Sequence, residues 1–452
     1  MTKLLSLLFF ATTIVYAQFG PQQIISTDGD GPRAVFAVDI DGDNYKDVLS
    51  ANKFGYNLTW YKNMGNGTFG AQQIIADLNQ PINLYAGDLD GDEDMDVLAV
   101  SGPENWVVWY ENLDGLGTFG AQQIIADDAI LAATVITADL DGDLDLDVIS
   151  GSDSSGLAWY ENLDGLGTFS TKKVINASAS NSRSVRAIDI DGDSDLDIVG
   201  STSGSVTVSW YENLDGLGTF GTQQVIAGSA PTVQSLYAAD LDGDLDNDVI
   251  AATNSENKVS WFENTDGLGS FGAEQIITTL ANVVLSVFAA DLDNDADIDI
   301  LSASASDDKI AWYENTDGQG NFSSQQVITT NADSVRSVFA ADLDNDGDMD
   351  VLSASQNDDK IAWYENLTIL GMEEALNLDI ELYPNPANTL LFISNDNNYR
   401  INYIKINDVQ GKLIKQIQGY NSQIEIEQLE AGVYFVSIYT DKGSIVKKII
   451  KM

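Results

Sequence analysis

A nine-residue acidic segment occurs seven times in this chain at a nearly constant interval, and no other feature restricts the possible folds as much. The copies read DIDGDNYKD from Asp39, DLDGDEDMD from Asp88, DLDGDLDLD from Asp139, DIDGDSDLD from Asp189, DLDGDLDND from Asp240, DLDNDADID from Asp291 and DLDNDGDMD from Asp342. Successive starts are 49 to 51 residues apart. A fixed period of that length marks a repeat architecture, in which each unit buries its apolar face only against its neighbours.

The unit itself reads as strands. One copy runs FGAEQIITT, VLSVFAADL, the acidic segment, DILSASAS and KIAWYENTDGQG. Four short apolar runs separated by Gly, Asn and Asp clusters predict four strands and no helix. A helical calcium hand needs a helix after its loop and a Glu at the twelfth position. That position here holds Ser50, Ala99, Ser150, Gly200, Ala251, Ser302 and Ser353. Seven four-stranded units placed radially make a seven-bladed β-propeller, an all-β architecture with few exposed edges. The pairs Trp60-Tyr61, Trp109-Tyr110, Trp159-Tyr160, Trp210-Tyr211, Trp261-Phe262, Trp312-Tyr313 and Trp363-Tyr364 recur once per unit at fixed register. That regularity assigns them to packing between blades rather than to sugar platforms. The final WYEN strand, ending at Asn366, lacks the Gly-rich turn and QQII strand that follow most others, and FGPQQII at residues 19–25 has no WYEN before it. The N-terminal strand is therefore expected to complete the last blade.

Acids at alternate positions would suit the wet face of a strand, but neighbouring carboxylates repel, and NDGD carries turn chemistry. At about 4.5 Å and an effective dielectric of about 20, each pair costs roughly 4 kcal/mol until a divalent ion neutralises it. The segments read instead as loops around a hard, oxygen-ligated cation, calcium, up to seven in all. Half of the 70 acidic residues lie inside them. The net charge of −49 argues against nucleic acid or an anionic membrane surface as partner. Cys and His are absent, which excludes thiol nucleophiles, Ser-His-Asp triads, disulfides and the usual zinc sites.

Residues 1–17 carry Lys3, an apolar run from Leu4 to Val15 and a small-residue cleavage site at Ala17, the pattern of a secretory signal peptide. Residues 18–367 form the propeller, expected to be monomeric, residues 368–377 a linker and cleavage region, and residues 378–452 a second domain. Alternating apolar strands with Pro and Gly turns predict a small β-sandwich for the last of these.

The propeller units resemble the FG-GAP family, found in integrin α-subunit propellers and bacterial VCBS-type repeat proteins. The Phe-Gly pair stands at Phe19-Gly20, Phe69-Gly70, Phe119-Gly120, Phe220-Gly221 and Phe271-Gly272, with Ser170 and Ser323 replacing Gly elsewhere. The resemblance implies calcium ligands at loop positions one, three, five and nine and a backbone carbonyl at seven. These aspartates are Asp39, Asp41, Asp43 and Asp47; Asp88, Asp90, Asp92 and Asp96; Asp139, Asp141, Asp143 and Asp147; Asp189, Asp191, Asp193 and Asp197; Asp240, Asp242, Asp244 and Asp248; Asp291, Asp293, Asp295 and Asp299; and Asp342, Asp344, Asp346 and Asp350. The family usually has Gly at position six, where only Gly347 obeys. Asn44, Glu93, Leu144, Ser194, Leu245 and Ala296 depart from it, implying weaker sites or a different turn. The segments LYPNPANTLLFIS, YIKINDVQGKLIKQ and LEAGVYFVSIYTDKGSIVKKIIKM resemble the C-terminal sorting domain of type IX secretion cargo. That resemblance implies the secretion machinery as partner, and a secreted or outer-surface protein after Sec export.

Recognition is expected on the face opposite the acidic loops, where the repeats differ. Arg33, Arg183 and Arg336 each stand six residues before a first loop Asp, with Gln234 at that position in blade five. With Trp106, outside the repeat register, they are the candidate ligand-binding residues. A carboxylate or sulfated sugar suits them. The leading function is a calcium-binding ligand-binding or adhesion module for an extracellular glycan or protein. The alternatives are a carboxylate-based polysaccharide-degrading enzyme or a purely structural spacer. Catalysis needs a singular constellation, and nearly every acid here has six counterparts, so no catalytic residue is assigned.

Overall fold

The computed structural model describes residues 18–202, 207–228, 232–367, 380–395, 399–407, 413–418, 423–429, 432–440 and 443–452. The expected signal peptide and linker lie outside them. The chain divides into two compact units, residues 1–368 and 369–452.

The first unit contains seven four-stranded antiparallel sheets, each in sequence order from the axis outward except one. Blade one is Pro32–Val38, Asp47–Asn52, Asn57–Tyr61 and Gln73–Asp77. Blade seven takes Val335–Ala341, Asp350–Ser355 and Lys360–Tyr364 from the end of the repeats and Gln23–Ser26 from the beginning. Closure follows the expected route: Gln23 lies opposite Trp363, and Phe19 bridges Asn366. The innermost strand of every blade contacts those of both neighbours, so the ring is complete. A single 3-10 turn, Asn254–Glu256, is the one helical element among the described residues.

The second strand of each blade is buried along its whole length. It is covered on both faces, so apolar and small polar residues run through it without the inside-outside alternation of a half-exposed strand. The Trp residues fill the seams. Trp109 meets Phe169 of the next blade edge-on at 6.3 Å, and Trp363 meets Phe69 across the closure at 6.5 Å. A Cβ added to Gly167 would sit 2.5 Å from the Trp109 ring, so the turn that covers this Trp needs glycine for close approach as well as for its left-handed φ of 76°.

The second unit is a β-sandwich. Ile380–Tyr383, Leu390–Asn395 and Gln423–Glu425 form one sheet, and Leu413–Gln418, Ile401–Asn407, Gly432–Thr440 and Gly443–Lys451 the other. Its core includes Ile380, Leu391, Ile404, Ile424, Val436 and Ile449.

Candidate functional site

Each acidic segment is a loop joining the first and second strands of its blade, closed by backbone N–H groups that converge on its own aspartates. The position-one carboxylate accepts the N–H of position six in all seven loops, at 2.7–3.1 Å. Position five accepts the N–H of position seven at 2.9–3.2 Å. Position six has positive φ everywhere: Asn44 70°, Glu93 74°, Leu144 79°, Ser194 79°, Leu245 76°, Ala296 77° and Gly347 99°. The expectation of a different turn is therefore corrected. The loop imposes the left-handed conformation on whatever residue stands there, at about 1–2 kcal/mol for a residue with a Cβ.

Position nine is tied into the scaffold. Asp47, Asp96, Asp147, Asp197, Asp248, Asp299 and Asp350 are wholly buried. One carboxylate oxygen accepts the N–H of position two at 2.9–3.0 Å. The other accepts the N–H of the Asn two residues past the third strand, at 2.7–2.9 Å. That Asn side chain then donates to the position-two carbonyl of the preceding blade: Asn112 to Ile40, Asn162 to Leu89, Asn213 to Leu140, and so on around to Asn63 on Leu343, all at 2.7–2.9 Å. Each loop thus latches its blade to the next. The sequence signal for these asparagines, absent from the expectations above, is their recurrence at one register in all seven copies.

Carboxylate oxygens of positions one, three and nine lie within 4.8 Å of one another in the loops of Asp88, Asp139, Asp189 and Asp240, whereas the first loop groups Asp39, Asp41 and Asp43. Position five is outside the four former triads, its oxygen turned to the position-seven N–H. In every loop one oxygen of position three is buried with no hydrogen-bond partner: Asp41, Asp90, Asp141, Asp191, Asp242, Asp293 and Asp344. Burial pushes the position-nine carboxyls up to about 7, and Asp299 to about 8. Burial, with the adjacent position-five charge, pushes Asp90 and Asp242 to about 6 and Asp293 to about 7. Orphaned, desolvated oxygens at mutual close range are the donor set a hard divalent cation takes, so the residues present fit calcium.

The opposite ends of the inner strands surround an axial cavity of about 760 Å³. Arg33, Arg183 and Arg336 all line it, together with Gln234. Arg183 pairs with Asp153 at 2.7 Å. Arg33 and Arg336 have no carboxylate partner among the described residues, and the Nε of each is buried without an acceptor. Burial, then the charges of Arg336 and Arg183, bring Arg33 down to about 10. Trp106 stands apart from the arginines: it begins the strand Trp106–Tyr110, packs half-buried against the core of blades one and two, and is not among the residues that line the cavity.

Arg186 was missed. Three residues before each loop, the blades present Phe36, Tyr85, Ile136, Arg186, Tyr237, Phe288 and Phe339 to the axis. Successive rings touch at centroid distances of 4.7–5.0 Å from Tyr237 round to Tyr85. Arg186 interrupts this wall, its guanidinium 5.2 Å from the Tyr237 ring and one Nη donating to the Val185 carbonyl at 2.8 Å. Aligning the seven copies at this register exposes it as the only charge.

A seven-bladed β-propeller with acidic loops, accompanied by a small β-sandwich, is the class that this fold defines. The FG-GAP-like repeat profile matches residues 39–99, 91–150, 139–200, 189–251, 240–302 and 297–353, and the chain belongs to that family. The secretion system C-terminal sorting domain matches residues 381–452. It directs export by type IX secretion to the cell surface or extracellular space. No curated protein matches the chain. Among solved structures, BBS1N, crystallised in complex with ARL6DN and soaked with lead, aligns with a TM-score of 0.56 at 11% identity over 78% of this chain and 98% of that one. The mercury-soaked crystal gives 0.56 at 12%. These likenesses show the propeller fold. PorZ of Porphyromonas gingivalis, an essential bacterial surface component of the type IX secretion system, aligns at 0.49 and 14% over 94% of this chain and 60% of that one.

Proposed function

We propose that the protein is an exported recognition module: a calcium-braced propeller that binds an acidic ligand, a carboxylated or sulfated glycan or protein segment, in the axial cavity. One observation carries the reading. Four arginines, three of them without a carboxylate partner among the described residues, line a cavity whose described lining contains no Asp or Glu. Bringing like charges together is unfavourable, and an anionic ligand removes that cost. Arginine forks match carboxylate and sulfate oxygens, and the aromatic wall offers flat apolar surface to a sugar or side chain. A carboxylate-based polysaccharide-degrading enzyme needs two acids flanking the scissile bond, and the lining supplies none. Calcium, when bound, supplies positive charge to the acidic loops and no chemistry at the cavity.

The test is a screen of the mature protein against acidic and neutral glycans and acidic peptides in millimolar calcium. Binding to acidic members, lost on Arg33→Gln with Arg336→Gln, supports the reading. Equal binding of neutral counterparts, or silence from a folded ring, refutes it.

A further inference from the structure

The residue that follows each Trp-Tyr or Trp-Phe pair stands beside position three of its own blade's acidic loop. In blades two to seven it is a glutamate: Glu111, Glu161, Glu212, Glu263, Glu314 and Glu365. Each lies close enough to oppose ionisation of its neighbour, Asp90, Asp141, Asp191, Asp242, Asp293 or Asp344. In blade one the same position is Lys62. Its Nζ pairs with the buried Asp41 and, at 3.0 Å, with Asp43.

Three further differences point the same way. Position seven of the first loop is Tyr45, where the other six have Asp, and position eight is Lys46. Counting the nine-residue segment with the residue after the aromatic pair, blade one carries four aspartates and two lysines, a formal charge of −2; blades three to seven each carry six acids and no base, and blade two carries seven. The carboxylates also gather differently. The first loop brings position five in with positions one and three, which places Asp39, Asp41 and Asp43 together on the side where the ammonium sits.

We propose that Lys62 is the resident cation of blade one, so that the protein takes up six divalent ions rather than seven. The side chain after the aromatic pair then decides, blade by blade, whether a loop is braced by its own ammonium or by an ion from the medium. The electrostatic logic is direct. A divalent ion entering the first loop must displace an ammonium already paired with two carboxylates, and it meets a site with four fewer negative charges than most others. The position is also the one where an internal brace matters most. Blade one adjoins the seam closed by the N-terminal strand, and Asn63, next to Lys62, makes the latch to the Leu343 carbonyl of blade seven. That junction keeps its charge balance whatever the calcium level.

This inference rests on the calcium reading of the other six loops, and the experiment separates the two. Bound calcium is counted by elemental analysis and native mass spectrometry on mature wild-type protein, Lys62→Glu and Glu365→Lys, with tryptophan fluorescence verifying the folded ring. The expected counts are six, seven and five. Seven ions in the wild type, or an unchanged count in folded Lys62→Glu, overturns the proposal alone. No ion in any of the three overturns it together with the calcium reading. If Glu365→Lys does not fold, the wild-type and Lys62→Glu counts decide the matter by themselves.

Discussion

The two ends of the inner strands solve one electrostatic problem in opposite ways. At the loop end, seven groups of carboxylates are drawn together, positions one, five and nine accepting backbone N–H groups from the loop or from the Asn beyond the third strand, while one oxygen of position three stays buried without a partner. At the other end, four arginines face one cavity and three have no carboxylate partner among the described residues. The first arrangement repeats seven times; the second appears in only three blades. Repetition of one hydrogen-bonded loop is how a ring builds a scaffold, and exceptions without a counterpart in most blades are how it acquires a binding site at the axis. Substitutions at the loop end are therefore expected to change stability, and those at the arginine end to change binding.

The largest effect belongs to position nine. Asp147→Ala strands two buried N–H groups, those of Leu140 and Asn162, at about 1–3 kcal/mol each, so urea denaturation should show a loss of about 2–6 kcal/mol. Asn112→Ala removes one inter-blade hydrogen bond and leaves the Ile40 carbonyl without that donor, for about 1–3 kcal/mol. Leu144→Gly goes the other way. The side chain is 92% exposed and sits at a φ of 79°, so glycine should stabilise the loop by up to about 1 kcal/mol. At the arginine end, Arg186→Leu should leave the melting temperature unchanged or slightly raised while weakening acidic-ligand binding tenfold or more. Comparable stability losses at both ends would erase the distinction.

Acidity separates the ends as well. In chelated protein the position-nine carboxyls, pushed up to about 7 from an ordinary 3.8, hold protons in the folded state that the unfolded chain has released. Stability of the metal-free ring should then be greatest near pH 4 and fall as pH rises toward 7. With calcium present the trend reverses, because the ion needs the deprotonated carboxylates. A chelated ring whose urea midpoint does not decline across that interval would contradict the burial of these groups.

Much of the scaffold was legible because period and register are properties of sequence: the blade count, the closing strand and the Trp seams all follow from aligned copies. The unread parts depend on tertiary context. Leu144, Leu245 and Ala296 adopt left-handed turns because the position-one carboxylate captures their N–H, a local contact that outweighs propensity. The Asn latches lie just past strand ends, where an amide reads as an ordinary turn residue. Arg186 hides among aromatic positions, and nothing in the sequence marks Trp106 as packed against the shared core of blades one and two.

The most direct test of the central claim is the melting temperature of the mature protein in millimolar calcium and after chelation. At calcium a hundredfold above its dissociation constant, each occupied loop adds about 2.7 kcal/mol. Several such loops together match or exceed the usual margin of a folded domain, about 5–15 kcal/mol. Chelation is expected to lower the melting temperature by tens of degrees or to unfold the ring, with recovery when calcium returns. A melt indifferent to chelator would contradict it.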